Sequence, residues 1–164
     1  MEILPGLLRE DIAMQSDGFC IAMSVDGVIA AGMVDGNVAI LSPSGNKVPK
    51  YLQWRANLVR SLAFSDDGTV LYSGSDNNTV QAHNTTTWEC LWTVNLENSS
   101  LFIVIFSNNI AVGGDSSCVS ILDASNGDII SKMTTIRDYA LDACLIPGEI
   151  DKINIDIVNS SNTI

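Results

Sequence analysis

A chain of 164 residues with 46% hydrophobic and only 16% charged side chains has material for one ordinary folded domain and is unlike a disordered segment. Nineteen acidic against eight basic residues give a net charge of −11, and the basic ones lie scattered from Arg9 to Lys152. Nucleic acid and anionic membrane surfaces are excluded as partners on that balance, because such a chain offers little counterion release or surface attraction.

The amino-terminal stretch "MEILPGLLREDIAM" carries acidic residues and a proline where a secretory signal needs a basic flank and an unbroken apolar run. No export signal is read, and a cytoplasmic, intracellular location is expected. The stretch admits a short turn of helix. From Phe19 onward the pattern changes to short runs that alternate apolar and polar residues, separated by turn residues.

The first run of this kind, about 19–53, has Val25-Asp26-Gly27 and Val34-Asp35-Gly36 as hairpin turns and Val38 with Ile40 on one strand face. The second, about 58–94, has Asp66-Asp67-Gly68 and Asp76-Asn77-Asn78 as turns, Val80 with Ala82 on the third strand, and "CLWTV" as an outer strand. The third, about 101–134, places its turns at Asn108-Asn109 and Asp115-Ser116-Ser117, its third-strand pair at Val119 and Ile121, and "IISKM" outermost. Further turns, "SPSGN", "NTTTWE" and "DASNGD", follow the third strand of each unit. A remainder supplies two more strands, about Ala140 to Ile146 and Ile153 to Val158. In each full unit a glycine precedes a valine by six positions: Gly32 and Val38, Gly74 and Val80, Gly113 and Val119. The glycines lie 42 and 39 residues apart, the period of four-stranded propeller blades. The class is all-β.

These residues resemble the WD-repeat family, whose blades read roughly as an apolar strand, an F-S-x-D-G turn, a strand ending S-G-S-x-D-G, and T-V-x-[LIV]-W-D. "LAFSDDGTVLYSGSDNNTV" follows that pattern almost position by position. "IAMSVDGVIAAGMVDGNVAILS" and "IFSNNIAVGGDSSCVSILD" follow it more loosely. The Trp-Asp pair corresponds to Leu41-Ser42, His83-Asn84 and Leu122-Asp123, so no unit has the Trp and one keeps the Asp. The Gly-His pair that opens such blades is missing, and Ser73 and Asp35 hold two positions of the family's buried polar set in different units. What the resemblance implies is a partial or small β-propeller of four-stranded antiparallel blades, one domain over 1–164 with an incomplete blade about 139–164.

Propellers close with about four to eight blades, and three and a half leave apolar flanks and strand edges to cover. The chain is then a piece of a larger propeller, or it self-associates or takes a second chain to complete the ring, or a strand around Ile3 to Met14 closes a small four-bladed ring. The first two are favoured, since the family commonly has seven blades.

The candidate chemistry is sparse. His83 is the only histidine and stands where the family has Trp; no Ser, Cys or acidic pattern around it forms a nucleophile–base pair. Asp26, Asp35, Asp66, Asp67 and Asp76 lie on tight turns without the D-x-D-x-D-G spacing of a calcium loop. "VGGD" lacks the Lys-Ser/Thr of a phosphate loop. Cys20, Cys90, Cys118 and Cys144 form no C-x-x-C pair and are expected as buried thiols. No cofactor or metal site is read. Trp88 replaces a turn glycine, Gly127 in the next unit, and is expected exposed at a rim; with Trp54 and Arg55 it is the candidate contact for protein partners. The expected function is a non-catalytic protein–protein interaction scaffold. The alternatives are an enzyme of another propeller class, a metal-dependent hydrolase or quinone-dependent oxidoreductase, and a propeller fragment without a function of its own.

Overall fold

The computed structural model describes residues 14–43, 49–53, 57–97, 102–114, 118–134, 140–145 and 153–157. They form fourteen strands in sequential antiparallel sheets. The first sheet takes β1 (Gly18–Met23), β2 (Ile29–Met33), β3 (Val38–Leu41) and β4 (Lys50–Leu52) in that order. The second takes β5 (Val59–Phe64), β6 (Val70–Ser75), β7 (Thr79–Asn84) and β8 (Cys90–Asn95), and the third β9 (Phe102–Phe106), β10 (Asn109–Gly113), β11 (Cys118–Asp123) and β12 (Ile129–Thr134). A two-stranded hairpin of β13 (Ala140–Leu145) and β14 (Ile153–Ile157) follows. The residues expected to form a short amino-terminal helical turn or a closing strand lie outside those described, Met14 excepted.

The first strands of successive sheets lie against one another, β1 on β5, β5 on β9 and β9 on β13, so the sheets stack face to face around a common inner edge. Each seam is an apolar layer. Between sheets one and two it consists of Ala30, Val38, Ile40, Leu52, Val59 and Leu71, with Leu62 and Phe64 packed on it. Between sheets two and three it consists of Tyr72, Val80, Ala82, Ile103, Ile110, Val112 and Leu122. The third-strand pairs expected to share a buried face do so, Val38 and Ile40 in one seam and Val80 and Ala82 in the next.

The repeated glycine has a steric reason. Gly32, Gly74 and Gly113 pair with Cys20, Ser61 and Phe102 at the same register position of the first hairpin. A Cβ on Gly32 would lie 2.7 Å from a Val59 methyl of the next sheet, and one on Gly113 would overlap the Phe102 ring. Close approach of another group is what excludes a side chain there.

Two turns depart from expectation. The first hairpin of sheet three turns at Ser107-Asn108, one residue earlier than the Asn pair, with Ser107 at φ 49° and Asn109 already paired with Phe106. A shared register with Asp123 on the other side pulls Asn109 into the ladder. The Asp115-Ser116-Ser117 turn and most of "SPSGN" lie outside the described residues. The remaining hairpin turns use Gly27, Gly36, Gly68 and Asn78 at positive φ, as their composition requires.

Candidate interaction surface

Trp88 and Gly127 hold the same place after the third strand, with φ of 64° and 80°. Each turn faces the outermost strand of the preceding sheet, and there the bulk is exchanged. At the first seam Trp88 comes from the turn and Lys50 from β4, the Lys50 Nζ lying 5.9 Å from the indole centroid. At the second seam the indole comes from the strand, as Trp92, and the turn residue is Gly127, where a Cβ would lie 2.7 Å from the ring. Lys50 and Trp92 are register equivalents, opposite Ile40 and Ala82. One indole thus fills each seam, from opposite sides. Trp88 is therefore half-buried against the seam layer rather than exposed at a rim, because the apolar surface beneath its turn is available to cover. Trp54 and Arg55 lie outside the described residues.

Beside Trp92 the second seam opens into a cleft of about 420 Å³. Its floor is Tyr72, Val70 and Ile105, its side is Leu91, and its lip is Asp66, Asp67, Asn108 and Ser125. Three turns build the lip: β5 to β6, β9 to β10, and β11 to β12. The Ala124 N–H donates to the Asn108 carbonyl at 3.0 Å and so holds the last two together. The Ala124 carbonyl in turn accepts from Tyr72 Oη and Trp92 Nε1, each at 3.2 Å, and ties sheet three to sheet two. The two rings lie 5.9 Å apart and tilted by 36°.

The lip is firmly anionic. Asp67 accepts from the Thr69 N–H at 3.0 Å, from Ser65 Oγ at 2.7 Å and from Thr69 Oγ1 at 2.8 Å. These donors hold its carboxyl down at about 2. Asp123, just behind, is lowered by the hydroxyl and N–H of Ser125. Burial, and then the charges of Asp67 and Asp123, push the Tyr72 phenol up, so it stays a neutral donor. Leu91 is 52% exposed at the cleft mouth. On the sequence alone "CLWTV" reads as an outer strand, and Asp66 and Asp67 as turn residues without the spacing of a calcium loop, so the site is not legible there beyond its acidic pair.

On the opposite rim Arg60 pairs through Nε with Asp76 Oδ1 and donates from Nη2 to Asp76 Oδ2 at 3.2 Å. Its guanidinium stands 5.4 Å from the Phe19 ring centroid of the preceding sheet. His83 is 3% exposed in β7, where burial lowers its imidazole to about 4. Cys20 and Cys118 are half-buried, but Cys90 is exposed, because β8 is an outermost strand with a bulge opposite His83. The Cys144 side chain lies outside the described residues.

No model of a known protein family and no curated protein matches the chain. Solved structures do. A crystal structure of BamB from Moraxella catarrhalis superposes with a TM-score of 0.63 at 20% identity, over 73% of this chain and 35% of that one. A crystal structure of a mitotic checkpoint complex superposes with a TM-score of 0.69, also at 20% identity, over 77% of this chain and 40% of that one. Both neighbours are propeller folds. This chain is a partial β-propeller. Its three four-stranded sheets are blades, β1, β5 and β9 are their inner strands, and the matched region spans less than half of either neighbour.

Proposed function

We propose that the chain is a WD-repeat-like, non-catalytic scaffold that binds other proteins in the cytoplasm, with the cleft between blades two and three as its contact site. The observation that carries this reading is the combination of an apolar floor, Tyr72, Val70 and Ile105, and an apolar side, Leu91, with an acidic lip, Asp66 and Asp67. Such a cleft suits a basic side chain with an aliphatic stem, lying along the floor with its charge at the lip. A chain of net charge −11 favours the encounter with a basic partner by long-range attraction. The only histidine is enclosed in a seam and held neutral, so it is poorly placed to act on a substrate at a rim. One similar structure is that of a protein complex, and protein partners are the class this reading brings to the chain.

The test is a titration of Lys- and Arg-containing peptides followed by tryptophan emission, Trp92 lying against the Tyr72 ring of the cleft floor. Binding that weakens with salt and is lost in Asp66→Lys/Asp67→Lys supports the reading. Equal binding by that variant, or binding of acidic peptides instead, overturns it.

A further inference from the structure

The lip of the cleft between blades two and three offers hydrogen-bond acceptors in a set geometry. The three donors that hold Asp67, the Thr69 N–H, Thr69 Oγ1 and Ser65 Oγ, all fall on its Oδ1. Its carboxylate is thereby locked in orientation, and Oδ2 keeps its capacity for an incoming donor. Asp66 beside it is exposed and has no hydrogen-bond partner among the described residues. On the blade-three side of the lip the Asn108 carbonyl is taken by the Ala124 N–H, but the Asn108 side-chain amide has no partner among the described residues. The Ser125 hydroxyl, by contrast, is committed to Asp123. Below the lip the walls are apolar, Val70, Ile105 and Leu91, and among the described residues no basic side chain lines the cleft.

Acceptors therefore stand on two blades, and one of them is fixed in direction. The two basic side chains answer such a site differently. A lysine ammonium is a compact, strongly hydrated point charge on a flexible stem; it gains little from fixed acceptor directions and gives up its water at greater cost between apolar walls. An arginine guanidinium is planar and more weakly hydrated, and it carries five donors in a rigid fork that loses less freedom for each hydrogen bond it makes. Given the scaffold reading, on which this rests and which asks only for a basic side chain, we propose that the cleft selects arginine over lysine on a partner protein, the guanidinium fork bridging Asp66 and Asp67 of blade two and Asn108 of blade three. The arginine stem lies along Val70, Ile105 and Leu91. Methylation of that arginine keeps its charge but removes donors from the fork, so it weakens the contact and gives the partner a means of switching it.

Blocked tripeptides with glycine on either side of arginine, lysine or asymmetric dimethylarginine test the selection, each titrated into the intact chain and followed by the methyl shifts of Leu91 and Ile105. Arginine is expected to bind about tenfold more tightly than lysine, as for one added hydrogen bond to a charged group. Dimethylarginine is expected to fall to the lysine level. Asn108→Ala keeps the carbonyl that receives the Ala124 N–H and removes only an exposed side chain, so its far-ultraviolet circular dichroism should match the parent while the arginine-to-lysine ratio narrows. Equal binding of arginine and lysine, both lost in Asp66→Lys/Asp67→Lys, overturns the selection and leaves the cleft reading standing. Dimethylarginine as tight as arginine overturns it too, as does an unchanged ratio in Asn108→Ala. No saturable shift with any of the three peptides overturns the selection and the cleft reading together.

Discussion

Ile21 and Leu62 occupy the same register position in successive inner strands, yet Leu62 is packed into a seam and Ile21 is 71% exposed. The repeat makes every blade face an interface by construction. Whether a given face is filled depends on what stands beside it, not on the residues it carries.

The glycine positions give an internal comparison. Gly113→Ala forces a methyl into the Phe102 ring, and Gly32→Ala brings one against Cys20 Sγ and Val59. Each is expected to destabilise by about 1–3 kcal/mol as an overpacked seam. Gly18→Ala meets nothing within 4 Å and is expected to be neutral or stabilising by a few tenths of a kcal/mol, roughly the gain from a stiffer unfolded chain. Urea melts of the three variants check this, and equal effects would remove close approach as the reason for the repeated glycine.

The exchange of bulk across the seams predicts an asymmetry between Trp88 and Gly127. Trp88→Gly relieves a positive φ worth about 1 kcal/mol but removes a half-buried indole worth about 2 kcal/mol or more. A net loss of about 1 kcal/mol is expected. Gly127→Trp meets both the φ of 80° and the Trp92 ring, and should be far more disruptive. Adding Trp92→Ala to Gly127→Trp should recover part of the loss; additivity of the two changes in a double-mutant cycle would argue against the exchange.

His83 makes stability depend on pH with a definite sign. Its imidazole titrates at about 4 in the folded chain against 6.5 unfolded, so the unfolded state binds the proton first as pH falls. The full stability is present above pH 6.5 and about 3 kcal/mol of it is lost by the time pH reaches 4. His83→Leu places there the residue that Leu41 and Leu122 supply in the other blades, and should flatten this part of the curve. The check is the denaturation midpoint of both proteins between pH 4 and 7. Asp67, lowered to about 2, acts in the same direction but only at lower pH, its contribution being lost as pH falls through that value.

Thiol labelling at pH 8 should separate the cysteines. Cys90 is exposed on β8, whereas burial pushes Cys20 up to about 11 and its thiol donates to the Val59 carbonyl at 3.4 Å. Mass spectrometry of peptides after brief exposure to a disulfide reagent is expected to find Cys90 modified and Cys20 intact until the chain unfolds. Prior modification of Cys20 would show that the first seam opens readily.

The fold was largely legible, because two local signals agree: alternation gave the strands, and Asp-Gly or Asn-rich pairs gave the turns between them. The site was less so. Trp88 was legible as a glycine replacement, but its burial depends on Lys50 and the seam beneath it, which only stacking brings together. The cleft joins Asp67 to Ser125 and Leu91 across two blades, a juxtaposition that no local pattern encodes. Cys90 stands in an apolar run and reads as buried, yet the bulge opposite His83 on an outermost strand leaves it exposed beside Leu91.

The central claim is that the cleft between blades two and three takes a basic side chain, and methyl NMR of the chain titrated with Lys- and Arg-containing peptides tests it most directly. Shifts are expected at the Leu91 and Ile105 methyls, which line the cleft, with those of Ile21 and Met23 unmoved. Leu91 and Ile105 methyls unmoved at saturating peptide would contradict it.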